Sequence, residues 1–324
     1  KIVAEAQKVA ESKGEPITGV TVSLPAGFDE LQREATFQAA QKAGLENVRV
    51  IEEPAAAALA CGLEGCTGYV MVIDIGAGTT DIVVGPMSKD AEGNPYLSRA
   101  ARTCDDELGG IDMDYLILEY LLKYDTLAPR LSDVYAALTP SEKGKLMGAI
   151  ESGKIMASLS GTGPIATVLR VGTRAKPVNL TLSEDLLGQI VAPILNGRRV
   201  GETIKGVKPL VEKTFLEVAM VNTERLGRAL RDHRHRSVSS YLDPELLRAA
   251  GFDSEEVRAG VQQAIGEIEH VVLVGGPCRM RAVHRVLAEV FAVNGKVCKQ
   301  LKEIEPRDSF FMEAVARGAT MGRG

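Results

Sequence analysis

One short segment of the chain has the residue types that bind a phosphate. It reads Val-Ile-Asp-Ile-Gly-Ala-Gly-Thr-Thr-Asp, and the apolar run Tyr69–Ile75 predicts a buried strand that ends beside Asp74. Because Gly76 and Gly78 have no Cβ, main-chain N–H groups here can approach an anion closely. Thr79 adds a hydroxyl donor, and Asp74 can hold a hydrated Mg²⁺, which prefers carboxylate and water ligands. The segment therefore predicts a phosphate-binding turn with a magnesium ligand.

Two other interpretations of this turn differ in what they require. A dinucleotide-binding fingerprint needs a third glycine and a helix directly after the turn. The residue at that position is Asp81, and Thr80–Val84 reads as a strand, so this interpretation fails. A hairpin turn that binds nothing stays open on this motif alone.

Three further segments place glycines or a carboxylate where a predicted strand meets a predicted helix. They are Glu53 before an Ala-rich helix, the pair Gly109–Gly110 at the start of a helix, and the pair Gly275–Gly276 after the strand His270–Val274. Backbone at such junctions can come close to a ligand. These three segments accompany the phosphate-binding turn along the chain.

Composition argues against several other classes of protein. A net charge of −5 and a pI near 5.6 do not fit a general nucleic-acid binder. No apolar run approaches the roughly 20 residues that cross a bilayer, and Lys1–Lys13 lacks the apolar core of a secretory signal. The five cysteines are scattered, which favours reduced thiols; Cys61 and Cys66 have no second pair to complete a zinc site. We therefore expect a cytoplasmic protein with no membrane or nucleic-acid partner.

A local basic run, Arg225–Arg236, stands apart from this acidic background. A solvated helix face is favoured over a nucleic-acid or membrane site. His233 and His235 are two residues apart and would point to different sides of a helix, which disfavours a metal site. The role of the run stays open.

Hydrophobic patterning predicts alternating helices and strands, the signature of an α/β protein. A capping box at Asp29 and Gln32 predicts a helix that ends near Ala43, and Thr181 with Glu184 predicts another helix start. The remaining predicted elements are a helix ended by Gly14 and Pro16, strands at Ile17–Leu24, Val48–Ile51, Leu97–Thr103 and Ile165–Val171, helical patterns at Leu116–Leu159 and Val200–Leu247, and a last strand–helix unit at His270–Val274 and Met280–Phe291.

In this order and spacing, the four motifs resemble the nucleotide-binding domain of DnaK-type heat-shock chaperones, within the actin-like ATPase superfamily. The resemblance covers essentially the whole chain. It implies an α/β, actin-like (ribonuclease H-like) ATPase fold with two lobes, the first of them incomplete. On this basis residues 1–69 are the remainder of lobe I and residues 70–306 are lobe II, with a helical upper subdomain at about 110–268. Residues 307–324 would form a closing helix that packs back at the lobe interface.

The resemblance implies a role for each matching residue. The family's β- and γ-phosphate loop falls on Asp74, Gly76, Ala77, Gly78 and Thr79, with Mg²⁺ bound to Asp74 through water. Ala77 replaces a glycine of the family and would crowd the loop if its φ were positive. Glu53 matches a glutamate that positions the attacking water, although a carboxylate at a helix start can also simply interact with the helix dipole.

The resemblance also implies an adenosine site. The matching residues are Gly109 and Gly110 beside the phosphates, Glu151, Lys154 and Ser158 on one helix face, and Gly275, Gly276 and Arg279 near sugar and base. Three positions depart from the family. Ile155 stands where an arginine commonly stacks on adenine, and Pro277 and Cys278 replace small hydroxyl residues.

These roles imply an ATP/ADP- and Mg²⁺-binding domain of a DnaK-like chaperone or chaperone-related regulator, with slow ATP hydrolysis in the intact protein. Co-chaperones or nucleotide-exchange-type proteins would be its partners. We find no Asp-x-Gly-Thr-Thr loop and no following catalytic lysine before Asp74, so we expect a fragment that opens beyond the family's first phosphate loop. Whether this chain alone hydrolyses ATP therefore stays open.

Two rival functions also stay open. An MreB-like, filament-forming cytoskeletal ATPase would share Ile51–Pro54 and Asp74–Gly76, although Glu151 and Lys154 favour the chaperone class. A degenerate nucleotide-binding fragment without activity is the other. A small-molecule kinase is disfavoured because the chain has no recognisable substrate-side aspartate motif.

Overall fold

The computed structural model describes most of the chain, as two compact units. The described residues are 2–14, 17, 19–45, 47–89, 91, 93, 95–98, 100–200, 203–222, 254–291, 315–317 and 319–320. Unit 1 comprises residues 1–66, 87–97 and 313–324, and unit 2 comprises residues 67–86 and 98–312. The basic run Arg225–Arg236 and most of the expected closing helix 307–324 lie outside the described residues.

Unit 1 is built from short helices and strands. Its elements before residue 67 are α1 (Ile2–Lys13), β1 (Val20–Leu24), α2 (Glu30–Lys42), β2 (Val48–Glu52) and α3 (Glu53–Ala60). Strands β1 and β2 pair in parallel, which requires the crossover that α2 provides. The predicted capping box is confirmed, because Asp29 Oδ1 accepts from the Gln32 N–H at 2.8 Å and Gln32 Oε1 accepts from the Asp29 N–H at 2.9 Å.

Unit 2 contains the central sheet. Strand β3 (Tyr69–Ile75) lies antiparallel to β4 (Thr80–Lys89) and parallel to β11 (Ile268–Val274), and β4 also pairs with β6 (Ala101–Asp105). The last residues of β4 belong to unit 1, where they pair with β5 (Pro95–Leu97). The middle of β3 is fully buried, as the apolar run predicts.

The described part of unit 2 also contains helices and two hairpins. The helices are α4 (Gly110–Tyr124), α5 (Leu131–Val134), α6 (Pro140–Ser160), α7 (Glu184–Asn196), α8 (Val207–Asn222), α9 (Ser254–Glu267) and α10 (Arg281–Phe291). The hairpins are β7 (Thr162–Val171) with β8 (Arg174–Ser183), and β9 (Arg198–Val200) with β10 (Thr203–Lys205). Short 3₁₀ turns cover Tyr135–Ala137 and Gly276–Arg279. One hydrophobic core joins β3, β4 and β11 to the surrounding helices.

Several predicted elements need correction. The start of α7 is capped by Ser183, whose Oγ accepts from the Leu186 N–H at 3.2 Å, while Thr181 lies inside β8. The single strand predicted at Leu97–Thr103 is divided between β5 and β6. The helix predicted from Val200 begins only at Val207, after the β9–β10 hairpin, and residues 223–253 lie outside the described residues. Between residues 110 and 268 the chain thus contains two hairpins as well as helices.

Within the described part of the chain, no helix is both long and apolar enough to span a bilayer.

Candidate functional site

The loop between β3 and β4 is a closed turn. The Gly76 N–H donates to the Thr79 carbonyl at 2.8 Å, and the buried Thr80 hydroxyl donates to the Leu108 carbonyl at 2.6 Å. Among the described residues other than glycine, only Asn47 has a positive φ. Ala77 therefore has an ordinary backbone conformation, and its side chain introduces no backbone strain into the loop.

The start of α4 fixes this loop in place. The Gly110 N–H donates to the Gly76 carbonyl at 3.0 Å, and the Ile111 N–H donates to the Ala77 carbonyl at 2.7 Å. A Cβ on Gly109 would lie 2.6 Å from the Ala77 carbonyl oxygen, so only glycine fits there. These two amides of α4 already bond the loop, and an anion at this place would draw its backbone donors from the loop itself.

Gly275 directly follows β11 and packs against the end of β3. Its φ is +91°, and a Cβ would lie 2.0 Å from the Ile75 carbonyl oxygen and 2.9 Å from Asp74 Oδ1. The carboxylate of Asp74 thus lies beside Gly275, where the two parallel strands end together. Burial, with the charge of Asp74, raises the pKa of the Cys278 thiol well above its ordinary value, so this thiol stays neutral.

A cavity of about 220 Å³ opens next to the loop, between α4, α6 and the 3₁₀ turn Gly276–Arg279. Seven of its lining residues are ones that the sequence assigned to nucleotide binding: Ala77, Gly110, Glu151, Lys154, Ser158, Gly276 and Arg279. The other five are Ile111, Asp114, Ile155, Pro277 and Met280. Charged groups and apolar surfaces therefore face the same space.

The remaining predicted residues have other places. Gly76, Gly78 and Thr79 complete the adjoining loop, Gly109 lies against it, and Asp74 and Gly275 lie at the strand ends beside it. Glu53 is the first residue of α3 and belongs to unit 1.

A buried ion pair forms part of the cavity wall. Lys154 Nζ lies 2.9 Å from Asp114 Oδ1 and donates to the Gly110 carbonyl at 2.7 Å; the two side chains are only 9% and 7% exposed. Burial raises the pKa of Asp114, the Lys154 ammonium opposes that rise, and the charge of Glu151 adds to it. The pair fixes the Lys154 side chain against the start of α4.

Asp114 is not among the site residues predicted from the sequence. The sequence does contain a sign of its importance, since this carboxylate lies within the apolar stripe of α4. Its neighbours Met113, Ile117 and Leu118 are all buried. A charge in such a stripe needs a buried partner, because an unpaired buried carboxylate is costly. Lys154 could be identified as that partner only once the contact between α4 and α6 was known.

The 3₁₀ turn that closes the cavity is held from behind by α10. His284 Nε2 lies 2.7 Å from the Cys278 carbonyl oxygen, and Cys278 itself is fully buried. Burial lowers the pKa of His284, so the ring is neutral near pH 7 and donates from Nε2 to this carbonyl.

Comparisons with known proteins assign the chain to a family. The family model described as Hsp70 protein matches residues 1–221. A chaperone protein HscA homolog of Bordetella petrii is 28% identical over 316 residues, which is 97% of this chain and 38% of that protein. The HscA homolog of Cupriavidus taiwanensis is 30% identical over 89% of this chain and 36% of its own length.

A third relative, heat shock 70 kDa protein 13 of Bos taurus, is 29% identical over 90% of this chain and 58% of that protein. The chain thus spans between about a third and three fifths of the length of these relatives. The family model covers more than half of the chain, and the order of the four motifs in this chain agrees with the match. This chain belongs to the Hsp70 family.

Proposed function

We propose that the chain binds ATP or ADP with Mg²⁺, with the adenosine part in the cavity between α4 and α6 and the phosphates at the loop that follows β3. The observation that carries this proposal is the convergence of Glu151, Lys154 and Ser158, from one face of α6, on a cavity that the loop residue Ala77 also lines. Membership of the Hsp70 family supports the same ligand.

The size of the cavity favours a nucleoside. At about 220 Å³ it lies below the roughly 300–1,000 Å³ usual for drug-sized ligands. A complete nucleoside triphosphate would therefore extend beyond it. The apolar side chains of Ile155, Pro277 and Met280 suit the faces of a base, and the charged groups of Glu151 and Arg279 suit hydroxyls and ring nitrogens.

The loop side of the cavity suits the phosphates and the metal. Gly76 and Gly78 keep Cβ atoms away from an approaching anion, and Thr79 is exposed on the surface of the protein. Asp74 is partly exposed, so its carboxylate can share a Mg²⁺ with water. The nearby Asp81 is paired with Arg102 at 2.8 Å.

In the intact protein we propose slow ATP hydrolysis in the service of a chaperone cycle. Bound Mg²⁺ would neutralise charge on the phosphates, and the protein would act by positioning rather than through a covalent nucleophile. Glu53 would orient the attacking water. Co-chaperones or nucleotide-exchange proteins as partners, and a cytoplasmic setting, belong to the same proposal. The relatives whose names describe chaperones support it.

Calorimetric titration of Mg-ADP into the wild-type chain and two variants tests the binding site. Asp74→Ala should weaken Mg-ADP binding about tenfold or more and remove the difference between titrations with Mg²⁺ and with EDTA. Asp133→Ala is the matched control, because Asp133 is an exposed carboxylate of unit 2 that pairs with Arg130. No binding by the wild type, or equal binding by Asp74→Ala, would contradict the proposal.

A second pair of variants tests the cavity itself. Ser158 and Ser152 both lie on α6 and both donate to the carbonyl four residues earlier, at 2.9 Å and 2.8 Å, but only Ser158 lines the cavity. Ser158→Leu should fill part of the cavity and weaken both adenosine and Mg-ADP at least tenfold, whereas Ser152→Leu should leave both affinities unchanged. Equal affinities in the two variants would contradict an adenosine site in this cavity.

A further inference from the structure

The β9–β10 hairpin holds a short acidic turn that leads directly into α4. Nζ of Lys205, the last residue of β10, lies 2.6 Å from Glu107 Oε2 and 3.7 Å from Asp105 Oδ1. The Glu107 N–H donates to the same Asp105 carboxylate at 2.9 Å. One ammonium group therefore bridges both ends of the turn Asp105–Glu107.

The residues after this turn hold the phosphate-binding loop. The Leu108 carbonyl accepts from the buried Thr80 hydroxyl at 2.6 Å, Gly109 lies directly against the Ala77 carbonyl, and the Gly110 N–H donates to the Gly76 carbonyl. Because these contacts follow Glu107 without a break, a shift of the acidic turn would shift the loop as well.

We propose that Lys205 is a positioning residue for the phosphate-binding loop, acting through the acidic turn Asp105–Glu107 and the pair Gly109–Gly110. Lys205 does not line the cavity, and its ammonium is bonded to Glu107. This inference rests on the nucleotide binding proposed above.

The charges on the two partners fit this role. The hydrogen bond from Lys205 lowers the pKa of Glu107, and the hydrogen bond to Glu107 raises the pKa of Lys205. Both groups are therefore charged at neutral pH. The Lys205 side chain is 31% exposed and that of Glu107 is 79% exposed, so the pair is accessible to water and salt should weaken it.

Removing the ammonium should weaken the binding of the phosphates more than the binding of the nucleoside. Lys205→Gln should weaken Mg-ADP binding about two- to fivefold, the range expected for losing one exposed ion pair. Adenosine should keep its affinity, because its proposed contacts are with α6 and the turn Gly276–Arg279. The loss should shrink in about 1 M salt, where the ion pair of the wild type is screened.

Four further variants separate positioning from general damage. Lys205→Arg keeps the charge and should bind Mg-ADP like the wild type. Lys213→Gln removes a lysine that is 26% exposed and paired with Glu217 on α8, and it should have no effect. Glu107→Gln should weaken Mg-ADP binding as much as Lys205→Gln does. The fold-loss of Mg-ADP affinity in the double variant should be smaller than the product of the two single fold-losses.

Amide exchange at residues 109–111 provides a readout that needs no nucleotide. In Lys205→Gln the amides of Gly110 and Ile111 should exchange faster than in the wild type, since their bonds to the loop loosen. Unchanged exchange, or a loss of adenosine affinity equal to that of Mg-ADP, would overturn the role of Lys205. If the wild type bound no Mg-ADP, the proposed function would fail, and the exchange rates alone would then decide whether Lys205 positions the loop.

Discussion

The ion pair of Lys154 and Asp114 has two structural roles in the wall of the cavity. It pairs two charges that are almost fully buried, and the lysine also donates to the Gly110 carbonyl. Removing one member of a buried pair leaves the other without compensation and usually costs several kcal/mol. Replacing both members by apolar residues is often nearly neutral for stability.

We therefore expect Lys154→Met to destabilise the protein by about 3 kcal/mol at pH 7. The double variant Lys154→Met/Asp114→Leu should recover most of that loss and still bind nucleotide poorly, because the ammonium is gone. Urea unfolding followed by circular dichroism, with calorimetry of Mg-ADP, measures both effects. An unfolding midpoint for Lys154→Met equal to that of the wild type would show that the pair contributes little.

His284 predicts a pH dependence of stability. Its folded-state pKa is lowered by burial, so the unfolded chain binds the proton more readily. Its contribution to stability is therefore complete above the unfolded pKa of about 6.5 and is lost as the pH falls through the folded value. Below pH 6.5 the urea midpoint of the wild type should fall more steeply than that of His284→Gln, which keeps a donor for the Cys278 carbonyl. Parallel curves would contradict this role.

At the scale of elements, the contact between α6 and β7 sets where the cavity residues of α6 lie. Two glycines bring the helix and the strand together: a Cβ on Gly153 would lie 2.6 Å from Ile165 Cγ1, and one on Gly163 would lie 1.9 Å from the Gly153 carbonyl oxygen. The face that carries Glu151, Lys154 and Ser158 therefore depends on a close backbone approach on another side of the same helix.

Gly153 and Gly148 form a matched pair for testing this contact. Gly153→Ala should destabilise the protein by about 1–3 kcal/mol through overpacking and should also weaken Mg-ADP. Gly148→Ala, on the same helix with open space around its Cβ, should stabilise by about 0.5–1 kcal/mol through helix propensity. Urea midpoints of the two variants measure the difference. Equal shifts would mean that helix and strand can move apart at little cost.

The same scale shows what the sequence could predict. The loop after β3, the capping box at Asp29 and the convergence of one face of α6 follow from local patterns, since residue spacing alone determines them. The cap at Ser183 was missed because Thr181 with Glu184 has the same spacing as a true capping box. Strand β8 was missed, although Val178, Leu180 and Leu182 alternate with polar residues in the period of a half-buried strand. Lys205 could not be connected to Glu107 because the two are 98 residues apart in the chain.

At the scale of the whole molecule, the residues that line the cavity all belong to unit 2. A ligand that binds only the folded state stabilises it in proportion to the logarithm of its concentration, by about 2.7 kcal/mol at one hundred times Kd. Saturating Mg-ADP should therefore raise the melting temperature by about 2–4 °C or more. Calorimetric scans with Mg-ADP, and with Mg²⁺ alone as the control, measure this shift. No shift at saturation would contradict nucleotide binding by the folded chain.

The most direct test of the central claim is photo-crosslinking with 8-azido-ADP and Mg²⁺, followed by mass spectrometry of the labelled peptides. The base of this probe reacts with whatever lies next to it. We predict labels within residues 151–158 or 276–280, which ADP removes by competition. Labels confined to other parts of the chain, or labels that ADP does not displace, would contradict an adenosine site in this cavity.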